Sequence, residues 1–446
     1  MRNITLKIFL APCEIAGTME RLQNAFSNLG IKSDFFCLSE YKFSDIKKPI
    51  SKRLKNYWRY KEYSRREKNN ILIKCLLEII GEFDILLLYI YSLYNYNTYI
   101  YIYGNSLFSA GQILRNIQWI EFLFLKIFKK KVLMLLCGSD SRAPYCDGGL
   151  CENYLKLSGD DESGISITRL YKETKKQKKK IRMLEKYAVL LDNPASSHFH
   201  SKPYINFGYI GIPIDEKEIV NIKRKEDGRV VLLHAPSVLK GKGTKSVRRI
   251  INEISEMGLP VEYIEVSGVP HRVVLEKIAQ SDIVVDQVYS DTPMAGLAAE
   301  AAVNGVPVIV SGYYADYYEE VWGRPIPPSC FCDPTELKGR LIHLIQNKAE
   351  REKLGQDAKK FVMNNWISER YAQKYIDIIQ DNYPDEWIFK PKNNRYIWGW
   401  GMCKEEVIQN IVSLVDKYGM KSLCLPKNSR LYKEYYKVYC KYCNRI

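Results

Sequence analysis

Short apolar runs of strand length alternate with amphipathic stretches of helical period along the first half of the chain. Residues 4–11 predict a strand, 18–29 a helix stopped by Gly30, and 33–38 a second strand. Helical apolar spacing over 71–80 ends ahead of Gly81, and the run 83–91 predicts a strand buried on both faces. A helix over 113–128 then leads into a strand over 131–137. Strands separated by helices imply right-handed crossovers and a parallel sheet, hence a doubly wound α/β domain.

The pattern restarts after residues 204–213, a turn-rich stretch suited to a linker. Strands are predicted over 229–234, 261–266, 283–287 and 306–311, with helices over 245–257, 272–280 and 295–304 between them. This makes a second doubly wound domain of ordinary size. Residues 334–383 are mostly of helical pattern. From 384 onward, Trp387, Trp398 and Trp400 and a helix over 404–418 mark a small appended module.

Composition agrees with a folded, multi-domain chain: 446 residues, 46% hydrophobic and 26% charged, exceed one core and exclude wholesale disorder. The first residues lack a signal-peptide pattern. The apolar stretches 85–103 and 119–136 are broken by Asn95 and Asn97 or by Lys126 and Lys129, so no membrane span is expected. Twelve scattered cysteines then suggest free thiols in a reducing cytoplasm. Cys403, Cys424, Cys440 and Cys443, which include one CxxC, are the alternative zinc set, at a spacing that matches no standard site. The net charge of +16 is uneven: residues 1–212 hold 33 Lys and Arg against 20 Asp and Glu, and residues 213–446 hold 34 against 31. The excess concentrates at 47–68 and 172–182, where Tyr57, Trp58, Tyr60 and Tyr63 interleave with the first tract. A solvated face explains either tract alone; an anionic membrane surface is the candidate partner for both. No nucleic-acid-binding motif accompanies the charge, and no nucleic-acid partner is expected.

Ligands of open parallel sheets bind beyond the carboxyl ends of the strands, which directs attention to four loops. Ala16 and Gly17 precede a helix whose amides could meet a phosphate, or simply make a tight turn. Asp140 and Arg142 follow the strand that ends at Cys137, where they could orient sugar hydroxyls or a phosphate, or cap a helix. Lys240 and Lys242 alternate with glycines in HAPSVLKGKGT (234–244), a cationic helix start suited to a diphosphate and to the charge that develops on its departure. The spacing is not that of a P-loop. In MAGLAAEAAVNG (294–305), Gly296 opens a helix with Glu300 one turn on, a carboxylate able to accept from both hydroxyls of a ribose diol.

At these residues the chain resembles GT-B glycosyltransferases of the family 4 type. KGT at 242–244, GVPH at 268–271, SDIVVDQ at 281–287 and GLAAEAAVNGVPVIVSG at 296–312 stand in that family's order and spacing. The resemblance implies two Rossmann-like domains facing across a cleft: 1–205 for the acceptor, 206–367 for the donor, a helix over 368–383 crossing back, and 384–446 appended. It implies Lys242 and Gly243 on the donor diphosphate, Glu300 on the ribose, and the amides of Ala295, Gly296 and Leu297 toward the sugar or phosphates. Gly268, Val269 and His271 would lie near the base, and Gly17 would reach the diphosphate.

Three positions depart from the family. Its first glutamate is Thr292 here, beside Asp291; its arginine is Ser237, leaving Lys240 as the substitute cation; and its N-domain histidine is Cys137, leaving Asp140 to orient acceptor or transferred sugar. The expected function is retaining transfer from a nucleotide-sugar, UDP-sugar favoured, to a glycan or lipid-linked acceptor in surface polysaccharide or glycoconjugate synthesis. Asp140, Lys242 and Glu300 are the catalytic candidates, without a metal or a further cofactor. A non-catalytic nucleotide-sugar binding protein is the alternative.

Overall fold

A computed structural model describes residues 5–39, 52–66, 69–154, 166–222, 227–319 and 327–443, so residues 47–51 and 67–68 of the first basic tract lie outside the described residues. The chain divides into two compact units, one of Met1–Leu136, Met183–Leu191 and Ala372–Tyr383, the other of Cys137–Arg182, Asp192–Tyr371 and Pro384–Ile446. The second unit therefore takes in Cys137–Arg182 and the appended module besides the domain expected over 206–367.

The first unit runs β1 (Lys7–Ala11), α1 (Thr18–Asn28), β2 (Lys32–Phe35), α2 (Lys55–Ser64), α3 (Ile71–Asn95), β3 (Thr98–Ile102), α4 (Gln118–Ile127) and β4 (Lys131–Leu135). The chain returns to it at β5 (Val189–Asp192) after α5 (Gly148–Tyr154) and α6 (Ile167–Leu184). Its strands pair in parallel in the order β2-β1-β3-β4-β5. All five residues of β3 are buried, as a strand covered on both faces requires.

Two sequence expectations fail here, for one reason. Residues 83–91 are not a strand, and the helix over 71–80 does not stop at Gly81: both belong to the single helix α3. Its N-terminus is fixed by Asn70, whose side chain accepts from the amides of Leu72 and Ile73 at 2.9 and 3.4 Å. Gly81 is a close-approach residue, since a Cβ there would lie 3.2 Å from the Tyr57 Cα on α2. Asp84 completes that crossing by accepting from the amides of Asn56 and Tyr57 at 2.7 and 3.1 Å. Tyr57 and Tyr60 are consequently buried against α3, which corrects their expected place at a membrane interface.

The second unit continues with β6 (Tyr204–Asn206), α7 (Phe207–Ile210), β7 (Val230–His234), α8 (Thr244–Glu256), β8 (Val261–Glu265), α9 (His271–Ala279), β9 (Ile283–Val285), α10 (Gly296–Val303), β10 (Val308–Ser311) and β11 (Cys330–Cys332). Helical residues 318–319 (α11) are followed by α12 (Leu337–Gln346), α13 (Lys348–Asn365), β12 (Ile388–Phe389), α15 (Lys404–Tyr418) and α16 (Arg430–Tyr442), while α14 (Ser368–Ile379) begins in the second unit and has most of its residues in the first. Five strands form a parallel sheet in the order β11-β10-β9-β7-β8. One face packs Leu233, Val284 and Val310 against α10 and α13; the other packs Leu232, Ile283 and Ile309 against α8 and α12. The alternation is that of strands with both faces covered by helices. Among the described residues no disulfide joins any of the twelve cysteines.

Candidate active site

The carboxyl ends of β7, β8 and β9 carry the candidate donor residues of the second unit. His234 ends β7; its Nδ1 lies 2.7 Å from the Val285 carbonyl and its Nε2 2.9 Å from the Thr244 hydroxyl. A carbonyl can only accept, so Nδ1 donates to it, and in the neutral ring Nε2 accepts from the Thr244 hydroxyl. Burial lowers the pKa, which favours that neutral form. The imidazole therefore ties the end of β7 to β9 and to the start of α8.

Gly243 caps α8 in the left-handed conformation, φ 72°, and a Cβ there would lie 2.7 Å from that of Val288. This turn brings Lys242 over the end of β9, where its ammonium donates to Asp286 Oδ1 at 2.8 Å and to Gln287 Oε1 at 3.1 Å. Asp286 is fully buried, and its Oδ2 has no hydrogen-bond partner among the described residues. Lys240 points elsewhere, 3.5 Å from Glu406, and Ser237 is exposed.

Beyond β8, Gly268 and Val269 lead into α9, and His271 at its first position reaches Glu300 Oε1 with Nε2 at 2.8 Å. Ala295 is the N-cap of α10, Gly296 and Leu297 start the helix, and space is open around Gly296. Three of the predicted groups therefore meet in two pairs, Lys242 with β9 and His271 with Glu300, on loops of neighbouring strands.

The positions that depart from the resembled pattern have a structural setting of their own. Arg142 is buried between Asp147 at 2.5 Å and Asp291, so neither Arg142 nor Asp291 is open to a ligand in this arrangement. Burial alone would lower the Arg142 pKa, but the two carboxylates outweigh it and hold the guanidinium charged. This corrects the expectation that Arg142 orients a sugar or phosphate. Thr292 donates its amide to Ser290 Oγ at 3.1 Å, and the same Oγ accepts from Gln287 Nε2 at 2.7 Å.

Asp140 is buried; its Oδ1 accepts the Cys137 amide at 2.8 Å, and its Oδ2 has no partner among the described residues. Burial raises its pKa to about 6, Lys180 opposing and Asp192 adding to the shift. Cys137 is exposed. Gly17, in the first unit, caps α1 at φ 74°, but the amides of Met19 and Glu20 already donate to Glu14 at 3.2 and 3.0 Å.

Sequence reasoning missed Trp400. Its indole N–H donates to Gln287 Oε1 at 2.9 Å, the acceptor shared with Lys242. The ring covers Gly241, where a Cβ would lie 2.6 Å from it. Backbone bonds fix the strap on both sides: Trp400 N to Cys146 O at 3.0 Å, Gly148 N to Trp400 O at 2.8 Å, and Gly401 N to Tyr289 O at 2.8 Å. The only local signal is a tryptophan between Gly399 and Gly401, both at positive φ.

No family model and no curated protein matches this chain. Among solved structures it is similar to the sucrose-phosphate synthase of Thermosynechococcus elongatus, at 13% identity and TM-score 0.47 over 84% of this chain and 98% of that one. It is also similar to the trehalose-6-phosphate synthase OtsA, at 10% identity and TM-score 0.49 over 85% and 100% of the two chains. The third is the Anabaena protein HepE in complex with UDP-glucose, at 9% identity and TM-score 0.43 over 84% and 99%.

Proposed function

We propose that the chain is a glycosyltransferase of the GT-B type that takes a sugar from a nucleotide-sugar, a UDP-sugar by preference, and transfers it with retention to a glycan or lipid-linked acceptor in surface polysaccharide or glycoconjugate synthesis. The observation that carries this reading is the placement of Lys242 and the His271–Glu300 pair at the ends of adjacent strands of one parallel sheet, where such sheets bind ligands. In this reading the donor diphosphate draws the Lys242 ammonium from Asp286 and Gln287. The ammonium then neutralises charge as the sugar–oxygen bond breaks, and the α10 amides contribute their dipole. Glu300 accepts from the ribose hydroxyls, with His271 holding the carboxylate in place. Asp140 orients the acceptor or the transferred sugar. Catalysis proceeds without a divalent metal, the Lys242 ammonium taking its role. An anionic membrane at the cytoplasmic face is the proposed second partner, motivated by the basic balance of residues 1–212.

A second reading, a nucleotide-sugar binding protein without turnover, would rest on Thr292 at the first glutamate position and on the pairing of Asp291 with Arg142. Incubation of the purified protein with UDP-, GDP- and ADP-sugars decides between them: release of nucleoside diphosphate supports transfer, while binding without release supports the second reading.

A further inference from the structure

None of the donor-site residues lines a cavity of about 610 Å³ elsewhere in the second unit. Part of its lining is one face of α16. At 3.6 residues per turn Arg430, Lys437 and Lys441 fall within an arc of about 40° and make a row about 17 Å long, and all three are exposed. Much of the rest comes from Arg395, Ile397, Trp398 and Tyr317, with the Arg395 guanidinium 4.5 Å from the centre of the Tyr317 ring. Buried tyrosines fix these parts. Tyr435, about 140° around α16 from the cationic row, is fully buried and donates its hydroxyl to the Ile397 carbonyl at 2.8 Å. Tyr396 is buried beside it in sequence order on the other segment and donates to the Gly399 carbonyl at 2.8 Å. The lining is therefore held by core packing and by backbone acceptors.

The chemistry of the lining selects the occupant. Glu434 is the one carboxylate among the described lining residues, and its Oε1 already accepts from Lys437 at 2.9 Å. Arg430 and Lys441 form no ion pair among the described residues. Lysine and arginine side chains only donate, so the occupant has to bring acceptors and negative charge, and a guanidinium matches a carboxylate or a phosphate in shape. The volume lies within the range of small-molecule sites, roughly 300–1,000 Å³, well beyond what a bare ion fills. Tyr317, Trp398 and Tyr442 add ring surface that a bare ion does not use. A pyranose meets both demands: its C–H groups face aromatic planes, and its hydroxyl and ether oxygens accept from cations. We propose that this cavity binds an anionic saccharide, one that carries a carboxylate or a phosphate. Trp398 stands two positions before Trp400, which shares Gln287 with Lys242, so one strap runs from the cavity to the donor loop. The occupant's role, as a charged unit of the acceptor glycan, rests on the glycosyltransferase reading; its binding does not.

The test is calorimetric titration of the full chain with cellobiose, cellobiouronic acid and a cellobiose phosphate monoester, which share one skeleton and differ in charge. At least one charged disaccharide is expected to bind about tenfold or more tighter than cellobiose, the scale of one hydrogen bond to a charged group. The tighter of the two identifies the charged group. Arg430→Gln/Lys441→Gln should remove that preference while leaving the melting temperature and UDP-sugar binding unchanged, since both side chains are exposed and neither is in the donor site. The bound disaccharide should change tryptophan fluorescence in the parent chain and not in Trp398→Phe. Charged disaccharides that bind no tighter than cellobiose overturn the proposal, as does inorganic phosphate binding equally well, which would mark a site for an anion alone. Parent-like affinity in the double variant, or displacement of the disaccharide by UDP, also overturns it. Binding that the double variant loses, in a chain that releases no nucleoside diphosphate from any nucleotide-sugar, upholds the cavity and removes only its acceptor role.

Discussion

Lys242 and Asp286 form an ion pair at 2.8 Å in which the carboxylate is fully buried and the lysine side chain is 13% exposed. Under the proposed function a donor diphosphate held by Lys242 would compete with that carboxylate. Removing one partner of a buried pair leaves the other charge uncompensated.

Lys242→Met alone is therefore predicted to destabilise the chain by about 3–5 kcal/mol. Lys242→Met/Asp286→Asn should recover most of that loss but none of the donor turnover. Denaturant melts of the two variants check this. A double variant no more stable than the single would show that the pair is not the source of the loss.

The buried Asp140 gives a prediction in pH. Its pKa is raised from 3.8 to about 6, with burial as the main cause. Between those values the unfolded chain has lost the proton that the folded chain keeps, so stability falls as pH rises through this window and is fully reduced above it. Asp140→Asn removes the slope. Its gain over the parent should be near zero at about pH 4 and reach up to about 3 kcal/mol at about pH 7, two pKa shifts of one unit each. The same variant should lower turnover if Asp140 orients the acceptor, whereas Cys137→Ser should not. Parallel pH dependences of stability would contradict the placement of the titration at Asp140.

Trp400 and Gly241 give a packing cycle. Gly241→Ala places a methyl group 2.6 Å from the indole, and such overpacking typically costs about 1–3 kcal/mol. Trp400→Leu should relieve the clash, so the two changes should couple favourably by about 1 kcal/mol or more. Thermal melts of the four proteins measure the coupling. Additive losses would mean that the ring moves aside freely.

The second sheet was legible because β7, β9 and β10 are short apolar runs bounded by Gly, Pro or Asp, and α8, which follows β7, has one apolar face. Strand ends then directed attention to Lys242, after β7, and to Glu300, on the helix after β9. The region of α3 was not legible, for a physical reason. Its core face, with Ile85 and Leu88, and its outer face, with Leu72 and Leu87, are both apolar, so the 3.6-residue period vanishes and the run imitates a buried strand. Gly81 added to the error, because a glycine at a close helix crossing and a glycine at a helix stop look alike in sequence. The strap at Trp400 and the pairing of Arg142 with Asp291 join residues more than a hundred positions apart, and no local period encodes such contacts.

Calorimetric titration of nucleoside diphosphate and UDP-sugar into the parent chain, Lys242→Met/Asp286→Asn and Glu300→Ala tests the donor site most directly. Each variant should bind the UDP-sugar about ten- to a hundredfold more weakly than the parent, the scale of one hydrogen bond to a charged group. Parent-like affinity in both variants would contradict the assignment of the donor site to Lys242 and Glu300.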